Sequence, residues 1–309
     1  MPFTVAGIEV LQASLHASKE TFGEIPATQP STTILPAGHR KSPDSRALPT
    51  DVIFDRDIEI PMRDGTILRA DVFRPCSDAK IPALVVWSPY GKTGSSPLNI
   101  HVMPGRVGVA ASRLSGYESF EGPDPAEWVF RQFAIVNIDA RGAMNSEGDI
   151  RVQGSAEGRD GHDAIEHVAE LPWCNASVGM VGNSWLAMVQ YHIAAENPPH
   201  LKCIAPLEGQ SDMFREGLCR GGIPAPGFFQ SIKHLLKSGY PVTRNGKTYA
   251  DDNHRQRSDR RSSSDDGDGC SDERILARQT CRLQQNKGSS LHPCKLFDWT
   301  PHRRIVAML

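Results

Sequence analysis

The sequence contains no apolar run near the ~20 residues that a membrane-spanning helix needs. Its N-terminus, MPFTVAGIEVLQASLHASKE, lacks the basic segment and continuous apolar stretch of a secretory signal. The formal net charge is only −2, and the Lys and Arg residues are scattered among acids rather than gathered in a basic stripe. We therefore expect a cytoplasmic protein with neither a nucleic acid nor a membrane as its partner.

Motifs for metals and cofactors are missing as well. The seven cysteines are an odd number, and no close Cys and His pairs have the spacing of a zinc site. No Gly-rich phosphate loop or nucleotide motif is present. The expectation is free thiols in a reducing compartment, no metal and no cofactor.

Two end regions also lack the apolar periodicity of a packed fold. Residues 1–50 are rich in Pro, Ser and Thr, which predicts a flexible leader. Residues 251–309 begin with the polar run DDNHRQRSDRRSSSDDGDGC, which predicts a disordered tail. The change in composition near residue 250 is abrupt, and it favours the hypothesis that the tail comes from out-of-frame or mis-spliced coding sequence.

The region between them carries clear patterns. The alternating segments DVIFDRDIEIPM and TILRADVFRP flank a turn at Arg63, Asp64 and Gly65, which predicts a β-hairpin. Apolar strand patterns then alternate with helical ones, and the SAEGRDGHDAIEHVAELPW helix has an apolar face formed by Ala164, Ile165, Val168 and Ala169. This alternation predicts an α/β fold with a mostly parallel sheet and right-handed crossovers.

The segment with the most chemical content is VGNSWL at residues 181–186. A predicted strand ends here and a predicted helix begins, which would hold Ser184 at a sharp turn where a base can reach its hydroxyl. Gly182 has no Cβ to obstruct such a turn. However, Leu186 replaces the last glycine of the G-x-S-x-G pattern, so on local pattern alone Ser184 is either a nucleophile or an ordinary helix N-cap.

Five blocks then occur in order over the region 51–240: MRDGTILRADVFRP, SPYGK, IDARGAMNSEGD, ELPWCNASVGMVGNSWLAMVQ and LKCIAP. Through them the chain resembles the CocE/NonD hydrolases, a family of X-Pro dipeptidyl-peptidase-like serine hydrolases related to cocaine esterase. The resemblance implies an α/β-hydrolase core with a nucleophile elbow, a helical cap and a C-terminal jelly roll. It also implies cleavage of an ester or amide through an acyl-serine intermediate.

The resemblance assigns three residues to the active site. Ser184 matches the nucleophile, Tyr90 matches the tyrosine whose hydroxyl donates to the oxyanion, and the backbone N–H of Trp185 matches the second oxyanion donor. Arg141 matches the arginine of the family's D-x-R-G loop, and we interpret it as a structural anchor of that loop.

In this family the Asp and His of the catalytic triad lie beyond the cap, and they would fall past residue 309. We therefore expect residues 51–210 to be the first part of the catalytic domain and residues 211–250 to be a partial cap, with no jelly roll. Such a chain would be truncated and inactive. A non-catalytic, hydrolase-like binding protein is the alternative, and an acyltransferase on the same fold is a third possibility. The expected partner is a small-molecule ester, amide or peptide, and the sequence does not specify an oligomeric state.

Overall fold

The fold is built on a central β-sheet. The computed structural model describes residues 3–5, 8–10, 27–92, 99–148, 151, 153–225 and 227. The strands of the central sheet are β3 (Ser31–Leu35), β4 (Val52–Pro61), β5 (Ile67–Pro75), β6 (Ile81–Ser88), β7 (Ala134–Asp139), β8 (Cys174–Asn183) and β9 (Leu201–Leu207). Two separate antiparallel ribbons are formed by β1 (Phe3–Val5) with β2 (Ile8–Val10) and by β10 (Cys219–Arg220) with β11 (Ile223–Pro224).

In the part of the chain that the structure describes, three α-helices connect the later strands. They are α1 (Pro125–Trp128), α2 (Ser155–Glu170) and α3 (Trp185–Ala195). The helix predicted over PAEWVFRQF is short: α1 passes into a 3-10 turn, and Gln132, with φ of 65°, ends the helical conformation. Further single turns are the 3-10 segments Ile100–Val102, Pro104–Gly108 and Ala111–Arg113 and the π-helical segment Met213–Leu218.

The strand order in the central sheet is β3-β4-β5-β7-β6-β8-β9. The pairings β7 with β6, β6 with β8, and β8 with β9 are parallel. The predicted hairpin is confirmed as β4 and β5, and it extends the sheet in antiparallel fashion through β7. The carboxyl ends of β6, β7, β8 and β9 therefore meet at one edge, where α/β proteins carry their sites.

Part of the predicted flexible leader is ordered, so that prediction is wrong for residues 27–50. Strand β3 pairs with β4 from Ser31–Arg56 to Leu35–Val52. Leu48 is only 1% exposed. Composition did not predict this strand, because an edge strand obtains its hydrogen bonds from a neighbouring strand. It therefore needs few apolar side chains of its own. The predicted tail and most of the predicted cap lie outside the described residues.

Apolar side chains cover both faces of the sheet. Strand β6 shows the alternation: Val85 packs in the cluster beneath α2 and α3, whereas Leu84 and Val86 pack in the cluster on the opposite face. The predicted apolar face of α2 is confirmed, because Ala164, Ile165, Val168 and Ala169 are all buried in the first cluster. Within the described ranges, every helix is too short or too polar to span a bilayer.

Candidate active site

Ser184 occupies the turn between β8 and α3. Its backbone angles, φ 55° and ψ −119°, are unusual for a residue with a side chain and place it at a strained apex. The Ser184 N–H donates to the Leu207 carbonyl oxygen at 3.1 Å, and its own carbonyl oxygen accepts from the N–H groups of Ala187 and Met188 at 3.0 Å each. The hydroxyl makes no capping bond to α3. The backbone thus makes the sharp strand-to-helix turn of an α/β-hydrolase elbow, and the Ser184 side chain does not cap α3.

Small residues allow the strand and the helix to approach each other at this turn. A Cβ added to Gly182 would lie 2.4 Å from the Cβ of Leu186, and one added to Gly209 would lie 2.7 Å from the Cβ of Ala187. Both separations are shorter than side-chain atoms tolerate, so neither glycine can be replaced without a shift. The expectation that Gly182 leaves room for this turn is therefore met, and the small side chain of Ala187 lets Gly209 approach α3 closely.

Tyr90 lies in the loop after β6 and reaches the same turn. Its side chain is 8% exposed, and its ring packs edge-on against Phe120 with 5.5 Å between centroids. The Tyr90 hydroxyl lies beside the Ser184 side chain and is close enough to interact with it. Burial, together with the nearby carboxylates of Glu121 and Glu157, raises the pKa of Tyr90, so the phenol keeps its proton at neutral pH. Two of the three residues predicted for the site are thus in contact.

Trp185, the third predicted residue, begins α3. As the first residue of the helix it has a backbone N–H that the helix itself does not use. That N–H adjoins Ser184, at the helix end where the dipole favours negative charge. Its indole is 1% exposed and belongs to the same apolar cluster as Tyr90.

Glu157, in the first turn of α2, is a buried acid that the sequence patterns did not single out. Its Oε1 accepts from Trp87 Nε1 and its Oε2 from the Gln153 N–H, both at 2.8 Å. Burial, helped by the charge of Asp160, raises the pKa of Glu157 to about 7. An acid in the first turn of a helix is so common that the sequence carried no signal of this contact.

Two further carboxylates flank the residue before Ser184. The backbone N–H of Asn183 donates to the Glu121 carbonyl oxygen at 3.0 Å. The Asn183 side-chain amide, oriented with its nitrogen toward β9, donates to Glu208 Oε2 at 3.1 Å. Burial raises the pKa of Glu121 to about 7, and the nearby Glu208 charge adds to this.

Arg141, the predicted loop anchor, lies away from Ser184 in a network of its own. Its guanidinium donates to both oxygens of Asp160 at 2.7 and 2.6 Å, to Thr66 Oγ1 at 2.6 Å and to Asp64 Oδ1 at 3.2 Å. Although partial burial acts to raise the pKa of Asp64, the hydrogen bond from Arg141 lowers it to about 2. Arg141 thereby joins the loop after β7 to the β4–β5 turn and to α2, which agrees with the predicted anchor role.

Four histidines in the described ranges are candidate bases for Ser184, and each lies in a different environment. His39 bonds the Tyr117 hydroxyl at 2.8 Å, and His200 Nδ1 lies 2.7 Å from Glu166 Oε2. His162 lies 3.4 Å from Asp163. Burial lowers the pKa of His192, within α3, to about 4, so it is neutral. In that same part of the chain, no three His, Cys, Asp or Glu side chains are grouped to hold a metal ion.

Comparison with known proteins agrees with this architecture. The cocaine esterase of Rhodococcus sp. (strain MB1 Bresler) is 30% identical over 159 residues, which cover 52% of this chain and 24% of that enzyme. A crystal structure of a CocE/NonD family hydrolase from Staphylococcus aureus superposes with a TM-score of 0.58 at 28% identity, covering 75% of this chain and 41% of the other. A second structure of that hydrolase gives a TM-score of 0.55 at 32% identity over 63% of this chain and 35% of the other.

The chain therefore spans about a quarter of the length of the curated esterase it matches. The sequence model of one family, described as X-Pro dipeptidyl-peptidase (S15 family), matches residues 64–289, a range that includes Tyr90, Ser184 and Trp185 and continues past residue 250. With the α/β-hydrolase core, this match establishes that the chain belongs to the X-Pro dipeptidyl-peptidase S15 family of hydrolases.

Proposed function

We propose that this chain carries the nucleophile of a serine hydrolase that cleaves an ester or amide through an acyl-Ser184 intermediate. One observation carries the proposal: Ser184 sits at a strained strand-to-helix apex, and its side chain lies beside the buried Tyr90 hydroxyl. Strained backbone of this kind clusters at active sites, where the surrounding structure holds it in place.

The chemistry follows from this geometry. The Ser184 Oγ attacks the carbonyl carbon, and a C–O bond forms while charge develops on the carbonyl oxygen. The Tyr90 hydroxyl and the Trp185 N–H donate to that oxygen, and each such donor in a buried site is worth about 3 kcal/mol of transition-state stabilisation. The C–O or C–N bond to the leaving group then breaks, and the proton of Ser184 passes to that group through a base. Water, activated by the same base, then attacks the acyl group on Ser184. The acyl–oxygen bond breaks, which releases the carboxylic acid and restores the Ser184 hydroxyl.

The four histidines described above do not supply the base. Three of them contact Tyr117, Glu166 or Asp163, and the fourth is buried within α3. We therefore also propose that the 309-residue chain, assayed by itself, turns over esters negligibly. As substrate class we propose a small-molecule ester, amide or peptide, on the strength of the S15 family match and the similarity to a cocaine esterase.

A fluorophosphonate reagent tests the nucleophile, because an activated serine oxygen displaces its fluoride and becomes phosphonylated, whereas an unactivated serine does not react. The purified chain would be treated with the reagent in the presence and absence of imidazole, which supplies a diffusible base, and the labelled peptide would be identified by mass spectrometry. We expect imidazole to accelerate labelling at Ser184, and we expect none at this position in Ser184→Ala. Without imidazole, turnover of p-nitrophenyl acetate should not exceed that of Ser184→Ala.

Two results would contradict the proposal. Clear Ser184-dependent turnover without imidazole would show that a base is already in place. A folded chain in which Ser184 stays unlabelled with imidazole present would instead identify a non-catalytic, hydrolase-like binding protein.

A further inference from the structure

Lys92 is a buried cation two residues after Tyr90. Its side chain is 9% exposed, and its Nζ lies 2.7 Å from Asp57 Oδ1, 3.6 Å from Asp71 Oδ1 and 3.9 Å from Asp139 Oδ2. Burial alone would lower the pKa of Lys92, but the three carboxylates raise it, so the ammonium stays charged. The sequence patterns did not predict this cluster.

The carboxylates belong to three neighbouring strands. Asp57 is on β4, Asp71 on β5 and Asp139 on β7, and these strands lie in that order toward β6. The Lys92 backbone follows β6, and its ammonium makes its shortest contact with Asp57, on the most distant of the three strands. The ammonium thereby ties the loop after β6 to the antiparallel half of the sheet.

The position of Asp57 is itself set by a special backbone. The β4–β5 register shifts between Asp55 and Ile58, and Asp57 within this bulge has φ of 54°. The Asp57 N–H donates to Asp71 Oδ1 at 2.9 Å, and Asp57 Oδ2 accepts from the Gln29 N–H at 2.8 Å. Bulges of this kind redirect a side chain, and here the redirected carboxylate contacts Lys92.

A short backbone path connects this cluster to the Tyr90 hydroxyl. Only Gly91, with φ of 121°, separates Tyr90 from Lys92, and the Gly91 carbonyl oxygen accepts from Ser119 Oγ at 2.8 Å. The Tyr90 N–H donates to Ser88 Oγ at 3.1 Å. The loop is thus held on both sides of Tyr90, and Lys92 provides the charged attachment.

We infer that Lys92 is a positioning residue for the oxyanion hole: held by Asp57, Asp71 and Asp139, its ammonium fixes the loop that presents the Tyr90 hydroxyl to Ser184. This inference rests on the proposed function, since it assigns Lys92 a role through Tyr90. Buried ion pairs often add little stability compared with apolar residues of the same volume, so a role in fixing geometry accounts for the retained charge. A displacement of about 1 Å at a reacting group can slow a reaction as much as 100-fold.

A double-mutant cycle tests the inference, with the rate of imidazole-assisted fluorophosphonate labelling at Ser184 as the readout. Lys92→Met would be made both in the natural chain and in Tyr90→Phe. If Lys92 acts through the phenol hydroxyl, Lys92→Met slows labelling roughly 10-fold in the natural chain and less than about 2-fold in Tyr90→Phe, because coupled residues are not additive. An effect of equal size in both backgrounds, or no effect in either, would overturn the inference.

Arg141→Met provides a matched control, because it removes a buried cation from a different carboxylate network. Its effect on labelling should be the same with and without Tyr90→Phe. Circular dichroism melting would establish that each variant is folded at the assay temperature. If Lys92→Met does not fold, the double variant Lys92→Met/Asp57→Asn replaces it, because it also removes the closest carboxylate charge. This double variant should likewise slow labelling in the natural chain but not in Tyr90→Phe.

Failure of the proposed function would look different. If the natural chain is not labelled at Ser184, or if Tyr90→Phe is labelled as fast as the natural chain, the oxyanion role is wrong and the inference about Lys92 fails with it. If Tyr90→Phe slows labelling while Lys92→Met acts equally in both backgrounds, the proposed function stands and only the inference fails.

Discussion

Tyr90 and Ser184 lie beside each other because the strands that precede them, β6 and β8, are adjacent and parallel. Parallel neighbours end at the same edge of a sheet, so the loop after one meets the turn after the other. Each side chain is further fixed by its own backbone, Ser184 by the strained turn and Tyr90 by the attachments of its loop. The contact is thus a product of topology rather than of sequence proximity.

The first prediction concerns the Tyr90 hydroxyl. Tyr90→Phe should slow labelling of Ser184 by a fluorophosphonate about 100-fold, because one oxyanion donor is lost. The measurement is the labelling rate in the presence of imidazole. Tyr117→Phe is the matched control, since it removes a phenol hydroxyl that bonds His39 in the same apolar cluster, and it should leave the rate within about 2-fold. Equal rates for Tyr90→Phe and the natural chain would exclude the donor role.

The second prediction concerns the pH dependence of stability. Because burial raises the folded-state pKa of Glu157 to about 7, the native state binds this proton more tightly than the unfolded state does. Its contribution to stability is therefore present below about pH 4.5 and is lost as the pH rises through 7. Over that interval it amounts to about 3 kcal/mol at most.

Glu157→Gln mimics the protonated carboxyl and should remove this part of the pH dependence. Urea denaturation at a series of pH values between 4.5 and 8 would measure it, as the difference between the natural chain and the variant. Subtraction is needed because burial also raises the pKa values of Glu118, Glu121 and Asp139 to about 7. Identical pH profiles for both proteins would show that Glu157 does not titrate in this range.

The third prediction concerns the closeness of strand and helix at the elbow. Gly182→Ala should lower the free energy of unfolding by about 2 kcal/mol, because the new methyl group would overlap the Leu186 side chain. Chemical denaturation would measure the loss. Ser177→Ala, in the same strand, should stay within about 0.5 kcal/mol of the natural chain. A Gly182→Ala protein of unchanged stability would mean that the turn relaxes without cost.

The fourth prediction concerns Arg141. Arg141→Met should lower the free energy of unfolding by about 3 to 5 kcal/mol, since it leaves the Asp160 carboxylate buried without its cation. The exposed pair of Arg131 and Glu127 offers the comparison, and Arg131→Met should cost less than about 1 kcal/mol. Similar losses for the two variants would indicate that the Arg141 network is not a structural anchor.

Local patterns predicted the parts of the fold that depend on local order. The alternation around Arg63-Asp64-Gly65 gave the hairpin, and the spacing of Ala164, Ile165, Val168 and Ala169 gave the buried face of α2. The elbow at Ser184 was identifiable because strand, turn and helix follow one another directly in the chain. The ordered segment 31–35 was missed because its stability comes from pairing with β4, which its own composition does not record.

The polar groups around the site could not be predicted in this way. Asp57, Asp71 and Asp139 come from three strands, and only the strand order brings them to Lys92. The contact of Glu157 with Trp87 likewise joins α2 to β6. Such contacts depend on tertiary register, which periodicity does not encode, although Tyr90 itself was identified through the resemblance of SPYGK to the family.

The position of β7 between β5 and β6 also constrains how the protein is made. The hairpin that ends at Pro75 pairs with a strand that begins only at Ala134, so on the ribosome it must wait while about 60 further residues are synthesised, roughly 3 to 12 seconds at ordinary rates. During that interval the hairpin has an unpaired strand edge and an uncovered apolar face. Chaperones bind such surfaces, and other unfolded chains aggregate through them. The strand order thus exposes the β4–β5 hairpin to misassembly during translation.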